Sequence, residues 1–355
     1  MSLRDLGWDE RFAADFASLA AAPDVEPGRV AVEFNYLYRV YVESGEIEAV
    51  LAGRVKHHAT SRGDMPGVGD WVAVRRRADS RGAIVHVLPR RTRFSRRMAG
   101  HTTDEQVVAA NVNVIFITMA LDADFSVRRL ERYLLMSRES GADPIVVLTK
   151  PDLADDLPAR VTEVVAVAAG APVHVVSPKL GEGLEPLRAR LTHGATGALL
   201  GSSGVGKTTI INQLVGGAPR RTREVRAADS KGRHTTTHRE LIAVPGGGLV
   251  IDTPGMRELQ LWDAAAGVRQ TFDDIETLAP GCHFGDCRHR DEPRCVVKQA
   301  VADGQLDAAR LDSYLKLQDE LSFLAQQQDQ RAQSEDRRRN KVQTKALRAH
   351  LKTKR

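Results

Sequence analysis

Cysteine, long apolar runs and net charge are all scarce in this chain of 355 residues. There are three cysteines, an odd number, and Cys282 and Cys287 stand five positions apart, which argues against a disulfide framework. No apolar run approaches the ~18 residues of a membrane span. Residues 1–12 carry acids where a signal peptide would carry an apolar core. These absences argue against a secreted or membrane-spanning class, and the expectation is a cytoplasmic protein without a membrane partner, taken to be monomeric. At roughly 100–200 residues per domain, the length accommodates two or three domains.

The net charge of +5 is small, but its distribution is not even. Residues 331–355 hold ten Lys/Arg against two acids, residues 75–97 nine Arg against one Asp, and residues 220–239 seven Lys/Arg against two acids. One such block reads as a solvated face. Three in one chain point to a polyanionic partner, because clustered cations release the counterions of phosphates.

The texture of the chain changes three times. Residues 1–22 read as a short helical lead. From Val30 to Leu88, β-type runs alternate with glycines: 30–34, 38–42, 50–55, 70–74 and 83–88. Five short strands with turn residues between them suggest a five-stranded OB-type barrel. Residues 90–97 read as an arginine-rich polar link. From Val112, apolar runs at 114–118, 144–149, 173–177, 198–200 and 249–252 alternate with helical spacings, the pattern of a parallel sheet flanked by helices. A helical segment at 306–328 precedes the basic tail. No solenoid-type repeat is visible.

Residues 201–208 (Gly201, Ser202, Ser203, Gly204, Val205, Gly206, Lys207, Thr208) satisfy G-x-x-x-x-G-K-[ST] in full, between an apolar strand and a helical run opening at Thr209. In that context the glycines let backbone N–H groups converge on phosphate oxygens, and the helix N-terminus adds its dipole. Lys207 would reach the β- and γ-phosphates, and Thr208 would offer its hydroxyl to Mg²⁺. Asp252, Thr253, Pro254 and Gly255 end the next apolar run. There the Asp252 carboxylate can hold Mg²⁺ and Gly255 can present its N–H to a γ-phosphate.

Thr149, Lys150, Pro151 and Asp152 look like the N-K-x-D guanine-reading motif, with Thr149 in place of Asn. Asp152 would accept from guanine N1–H and the 2-amino group, a donor pair adenine lacks. Lys150 would lay its stem over the base. Ser177, Pro178 and Lys179 resemble the loop that contacts guanine O6. The base motifs here precede the phosphate motif, the reverse of the usual order. A circular permutation keeps such a sheet intact, since termini of compact domains often lie close together.

Cys282, Cys287, His289 and Cys295 gather every cysteine and one imidazole within fourteen residues. Three thiolates and an imidazole make a closed tetrahedral shell suited to one structural Zn²⁺. His283 is the rival imidazole.

The barrel-like segment, residues 124–134 (Asp-Phe-Ser-Val-Arg-Arg-Leu-Glu-Arg-Tyr-Leu), the motif order, residues 231–237 (Lys-Gly-Arg-His-Thr-Thr-Thr), Asp252-Thr-Pro-Gly-Met and the cysteine cluster together resemble the circularly permuted, small ribosomal subunit biogenesis GTPases of the RsgA/YjeQ type. The resemblance implies a multidomain chain. Its parts would be an OB-type RNA-binding domain over 1–98, a permuted α/β P-loop GTPase domain over 99–261, a zinc-binding α-helical domain over 262–330, and a basic tail over 331–355. It also implies GTP hydrolysis stimulated by the small ribosomal subunit in late maturation, with rRNA as a partner. Met256 occupies the place where Ras-like enzymes carry a water-orienting Gln. His234 is the candidate for that catalytic task beside Lys207, and Thr235 or Thr236 for completing the Mg²⁺ shell. Two other readings stand beside this one: a P-loop ATPase, and a nucleotide-gated RNA-binding scaffold with incidental hydrolysis.

Overall fold

The computed structural model describes residues 1–19, 22, 24–34, 36–59, 61–77, 81–97, 105–216, 239–252, 265–323 and 326. The chain divides into two compact units, Met1–Gln260 and Leu261–Arg355.

The first unit opens with helix α1 (Glu10–Leu19), capped by Asp9, whose Oδ1 accepts from the Phe12 amide at 3.1 Å. Five strands follow: β1 (Val25–Phe34), β2 (Leu37–Val42), β3 (Gly45–Leu51), β4 (Trp71–Arg76) and β5 (Gly82–Val87). They pair in the order β1-β2-β3-β5-β4 and close through β4–β1, with β3 and β5 parallel and the other neighbours antiparallel. This is the five-stranded OB-type barrel expected from the sequence. Its interior is filled by Val30, Tyr38, Val40, Val42, Val72, Val74 and Ile84. Helix α1 seals one end: Trp8, just before it, meets Trp71 edge to face at a centroid distance of 4.7 Å, and Phe12 lies tilted against the same ring at 5.7 Å.

Two local expectations differ from the structure. The third β-type run extends to Val55 in the sequence, but β3 ends at Leu51 and a short helix, α2 (Gly53–His58), follows. Pairing with β5 stops at Leu51 opposite Ile84, where the Ala52 amide still donates to the Ile84 carbonyl at 2.9 Å before the chain turns into α2. The polar link at 90–97 instead contains a strand, β6 (Arg93–Arg97), paired antiparallel with β7 (Glu105–Ala110). Phe94 and Ser95 are buried there, a signal that the surrounding arginines obscure.

Next come β8 (Val114–Ala120), α3 (Val127–Ser140), β9 (Asp143–Thr149), α4 (Leu157–Val167), β10 (Val173–Val176), α5 (Glu185–Arg190), β11 (Thr196–Leu200), α6 (Lys207–Val215), β12 (Glu240–Val244) and β13 (Gly248–Asp252). Strand β8 is buried at every residue, as a parallel strand covered on both faces must be. Local chemistry sets the helix ends. The Ser126 hydroxyl caps α3, Gly141 at φ +85° terminates it, and Asp156 caps α4 through the Ala159 amide at 3.0 Å.

The sheet order is β10-β9-β8-β11-β13-β12, parallel except for β12. Helices α5 and α6 bury Leu187, Ile210, Ile211 and Leu214 against Phe116, Val147, Leu199 and Val250. The chain winds outward from β8 to β10, then returns to place β11 on the other side of β8. The crevice beyond the C-terminal ends of β8 and β11 is therefore a topological switch point, where open α/β sheets bind ligands.

The second unit contains α7 (Ala265–Thr271), α8 (Asp273–Leu278), α9 (Val296–Ala302) and a helix over 308–323, α10. Val268, Phe272, Ile275, Val297, Leu311 and Tyr314 are buried among them. The Phe272 and Tyr314 rings meet edge to face at 5.4 Å, and Tyr314 donates to Glu276 at 2.8 Å.

Candidate nucleotide and metal sites

The sheet brings the loops singled out in the sequence to one edge. Residues 201–208 leave β11, Thr149–Asp152 leave β9, Ser177–Lys179 leave β10, and Asp252 ends β13. All four strands are parallel, so all four loops lie at their C-terminal ends. Residues 234, 235, 236, 255 and 256, which carry the candidate His234, Thr235, Thr236, Gly255 and Met256, lie outside the described residues.

The phosphate loop turns tightly against its neighbour strand. A Cβ on Gly201 would sit 2.2 Å from the Thr118 carbonyl oxygen, so only glycine fits. Gly206, at φ +100°, leads directly into α6, whose first residue is Lys207. Lys207 Nζ folds over the loop, donating to the carbonyls of Gly201 at 2.7 Å and Ser202 at 2.6 Å. The ammonium thus lies across the turn that leads into the α6 N-terminus.

Thr149 is buried, and its hydroxyl donates to the Val205 carbonyl at 2.7 Å. The residue standing where Asn is usual therefore ties the base-side loop to the phosphate loop. Lys150 adopts the left-handed conformation at φ +56°, rare for a residue with a Cβ. Its Nζ reaches Asp122 Oδ2 at 2.7 Å. Burial acts to raise the Asp122 carboxyl, but the Lys150 hydrogen bond and the Asp124 amide outweigh it, and the net shift is downward. Asp152 is exposed, and its carboxylate has no hydrogen-bond partner among the described residues. Ser177 turns the next loop, accepting from the amides of Leu180 at 3.0 Å and Glu182 at 3.1 Å.

One set of contacts was not legible in the sequence. The loop after β8 accepts the Ser202 hydroxyl on Asp124, which Arg129 also pairs at 3.0 Å. Asp122 and Asp124 thus touch the base-side loop and the phosphate loop in turn. Only the sheet order, which puts β8 between β9 and β11, shows this.

In the second unit the Sγ atoms of Cys282, Cys287 and Cys295 and one nitrogen of His289 all lie within 4.8 Å of one another. Cys282 Sγ is 3.8 Å from Cys295 Sγ, and His289 Nδ1 is 3.4–3.6 Å from the three sulfurs. A tetrahedron with Zn–S about 2.3 Å and Zn–N about 2.0 Å has edges of about 3.8 Å (S···S) and 3.5 Å (S···N), so the donor set fits that ion in type and spacing. Burial lowers the His289 pKa, favouring the neutral ring a ligand must be. His289 reaches inward from a left-handed backbone at φ +59°, whereas the rival His283 is exposed and lies against Phe284.

A P-loop at a switch point, a lysine–aspartate base loop two strands away across β8 and an inverted motif order define a circularly permuted P-loop GTPase fold with an OB-type barrel before it. Residues 87–262 match the family described as RsgA GTPase. The small ribosomal subunit biogenesis GTPase RsgA of Opitutus terrae is 47% identical over 339 residues, covering 93% of this chain and 92% of that protein. Its counterpart in Methanosarcina acetivorans is 41% identical, covering 89% and 85%. Among solved structures, YjeQ from Thermotoga maritima superposes with a TM-score of 0.64 at 27% identity, covering 84% of this chain and 98% of that one. YloQ, described as a circularly permuted GTPase, gives 0.58 at 25% identity, with 84% and 95% covered. The chain belongs to the RsgA family of GTPases. No helix among the described residues is long and apolar enough to cross a membrane.

Proposed function

We propose that this protein hydrolyses GTP to GDP and phosphate on the small ribosomal subunit, in the late maturation of that particle. The observation that carries the reading is the convergence of residues 201–208, Thr149–Asp152 and Asp252 on one sheet edge. It occurs in a chain 47% identical to a protein named for small-subunit biogenesis. In this reading the amides of 201–208 and the α6 N-terminus bind the phosphates, and Lys207 neutralises charge on the transferring group. Asp152 selects guanine, and Ser177, Pro178 and Lys179 close over O6. Thr208 and Asp252, with Thr235 or Thr236, hold Mg²⁺, whose chemistry when bound is to offset charge on the β- and γ-phosphate oxygens. His234 orients the attacking water in place of the residue that Met256 cannot supply. Cys282, Cys287, His289 and Cys295 hold a structural Zn²⁺ that fastens α8 to α9. The barrel and the basic tail contact rRNA, and the protein works as a cytoplasmic monomer.

The test is the GTPase rate of the purified protein with and without small ribosomal subunits, across a salt series. Stimulation that falls steeply with salt is expected, since clustered phosphate contacts release counterions. A rate indifferent to the subunit would reject the ribosomal role, and equal competition by ADP and GDP would reject the guanine assignment.

A further inference from the structure

The loop after β8 carries no recognised nucleotide motif, yet it flanks the switch-point crevice on the side facing the phosphate loop. Leu121 N donates to the Thr149 carbonyl at 2.9 Å, fixing this loop to the base-side loop through the backbone. Asp122 divides its carboxylate between two tasks. Oδ1 accepts from the Asp124 amide at 2.9 Å, an Asx turn that fixes the side chain, while Oδ2 takes the Lys150 ammonium at 2.7 Å. Lys150 needs such a partner. Its left-handed backbone is costly for a residue with a Cβ, and a four-carbon stem left free samples many rotamers. Thr149 offers one hydroxyl, already spent on Val205, so it has no further donor with which to brace its neighbour.

Resting on the assignment of Thr149–Asp152 as the guanine loop, we propose that Asp122 is a positioning residue for base binding, acting through Lys150. By fixing the ammonium it holds the lysine stem in the orientation that packs over the purine. The effect lies on the base side, so it is the same for di- and triphosphate.

The experiment measures affinities of the full-length protein for fluorescent GDP and a non-hydrolysable GTP analogue. The variants are Asp122→Asn, Lys150→Met, their double variant, and Asp152→Asn as a control on the guanine loop. Asp122→Asn keeps the acceptor for the Asp124 amide, and an unchanged melting curve establishes that the loop still folds. The pair is about a third exposed at Lys150 and a quarter at Asp122, so an effect of about three- to five-fold is expected, equal for both nucleotides. In the Lys150→Met background Asp122→Asn should cost nothing further, a non-additivity that a merely structural role would not produce. Unchanged affinity in Asp122→Asn, or the same loss in both backgrounds, overturns the proposal while Lys150→Met and Asp152→Asn still lose affinity. If those two also bind GDP normally, the guanine-loop assignment itself fails and the proposal falls with it.

Discussion

Replacing Asp70 by Ala tests how the barrel is held together. Asp70 is fully buried, and its carboxylate meets Arg90 through two bonds, Nε to Oδ1 at 2.8 Å and Nη2 to Oδ2 at 2.7 Å. It also accepts the Gly67 amide at 2.8 Å. Arg90 donates in addition to the carbonyls of Gly63 and Met65 at 2.6 and 2.7 Å. Removing one partner of a buried pair costs about 3–5 kcal/mol because a charge is left without compensation. Two retained carbonyls put Arg90 at the lower end, and the orphaned Gly67 amide adds about 1 kcal/mol, for a total near 4. Trp71 is the next residue along and Trp8 lies against it, so tryptophan fluorescence in urea reports on this region. With a slope of about 2 kcal/mol per molar urea, the midpoint should fall by about 2 M. The double variant Asp70→Ala, Arg90→Met should recover most of the loss, since replacing both members of a buried pair by apolar groups is often close to neutral. A single variant that loses less than about 1 kcal/mol, or a double variant as unstable as the single, would refute the accounting.

Three further outcomes follow from other sites. Gly201→Ala should abolish GDP binding in a fluorescence titration, because its Cβ would lie 2.2 Å from a backbone oxygen that cannot yield; retained micromolar binding would show that the loop relocates. Removing metal with a strong chelator should unfold the region around α8 and α9, read by hydrogen exchange of residues 282–302, while GDP binding survives, since four ligands in a short segment stand in for a core. Tyr314 has its pKa pushed up to about 12 by burial and by its bond to Glu276. The folded state therefore binds that proton more tightly than the unfolded chain, and stability should decline as pH rises from about 10 to 12. Tyr314→Phe should flatten that slope in alkaline denaturation curves.

What was legible in the sequence is what chemistry forces into consecutive residues. A phosphate loop needs its amides in series, so residues 201–208 announce themselves. A cluster of every cysteine that could hold a metal does the same, and His289, the imidazole expected from the sequence in preference to His283, is the one that lies among the three sulfurs. The barrel was legible from its turn spacing, and the parallel sheet from its alternation. Asp122 was not, and Asp124 entered only as part of the family resemblance, because the contacts of both depend on sheet order. Nor was the fate of the arginines in residues 75–97. Arg75 pairs with Asp24, Arg76 with Glu26, Arg90 with Asp70 and Arg91 with Asp9. Those acids are up to 82 residues away in sequence, so a local charge count records the cations and misses their partners. The electrostatic case for a polyanionic partner is correspondingly weaker at this block than a count suggests.

Side chains and one strand pair join the barrel to the α/β sheet. At the sheet edge, β1 meets β12 through a single residue pair, Val32 opposite Glu240. Arg39 reaches Glu240 at 3.1 Å and Tyr41 donates to the Leu241 carbonyl at 3.4 Å. The ion pair is half exposed on the arginine side and contributes at most about 1 kcal/mol. The second joint is buried. Arg29 of β1 is 1% exposed and donates to the carbonyls of Leu6, Gly69 and Asn111, while Asn111 returns a bond to the Gly69 carbonyl at 3.1 Å. One guanidinium thus satisfies carbonyls from the N-terminal lead, the barrel and the entry to β8. A third contact, Arg239 to Glu33 of β1 at 3.9 Å, is largely buried. Bonds to a charged donor are each worth about 1.5–3 kcal/mol, so the three bonds of Arg29 make it the strongest single anchor of the seam. The barrel is thus fixed to the segment that enters β8, the strand whose following loop carries Asp122 and Asp124.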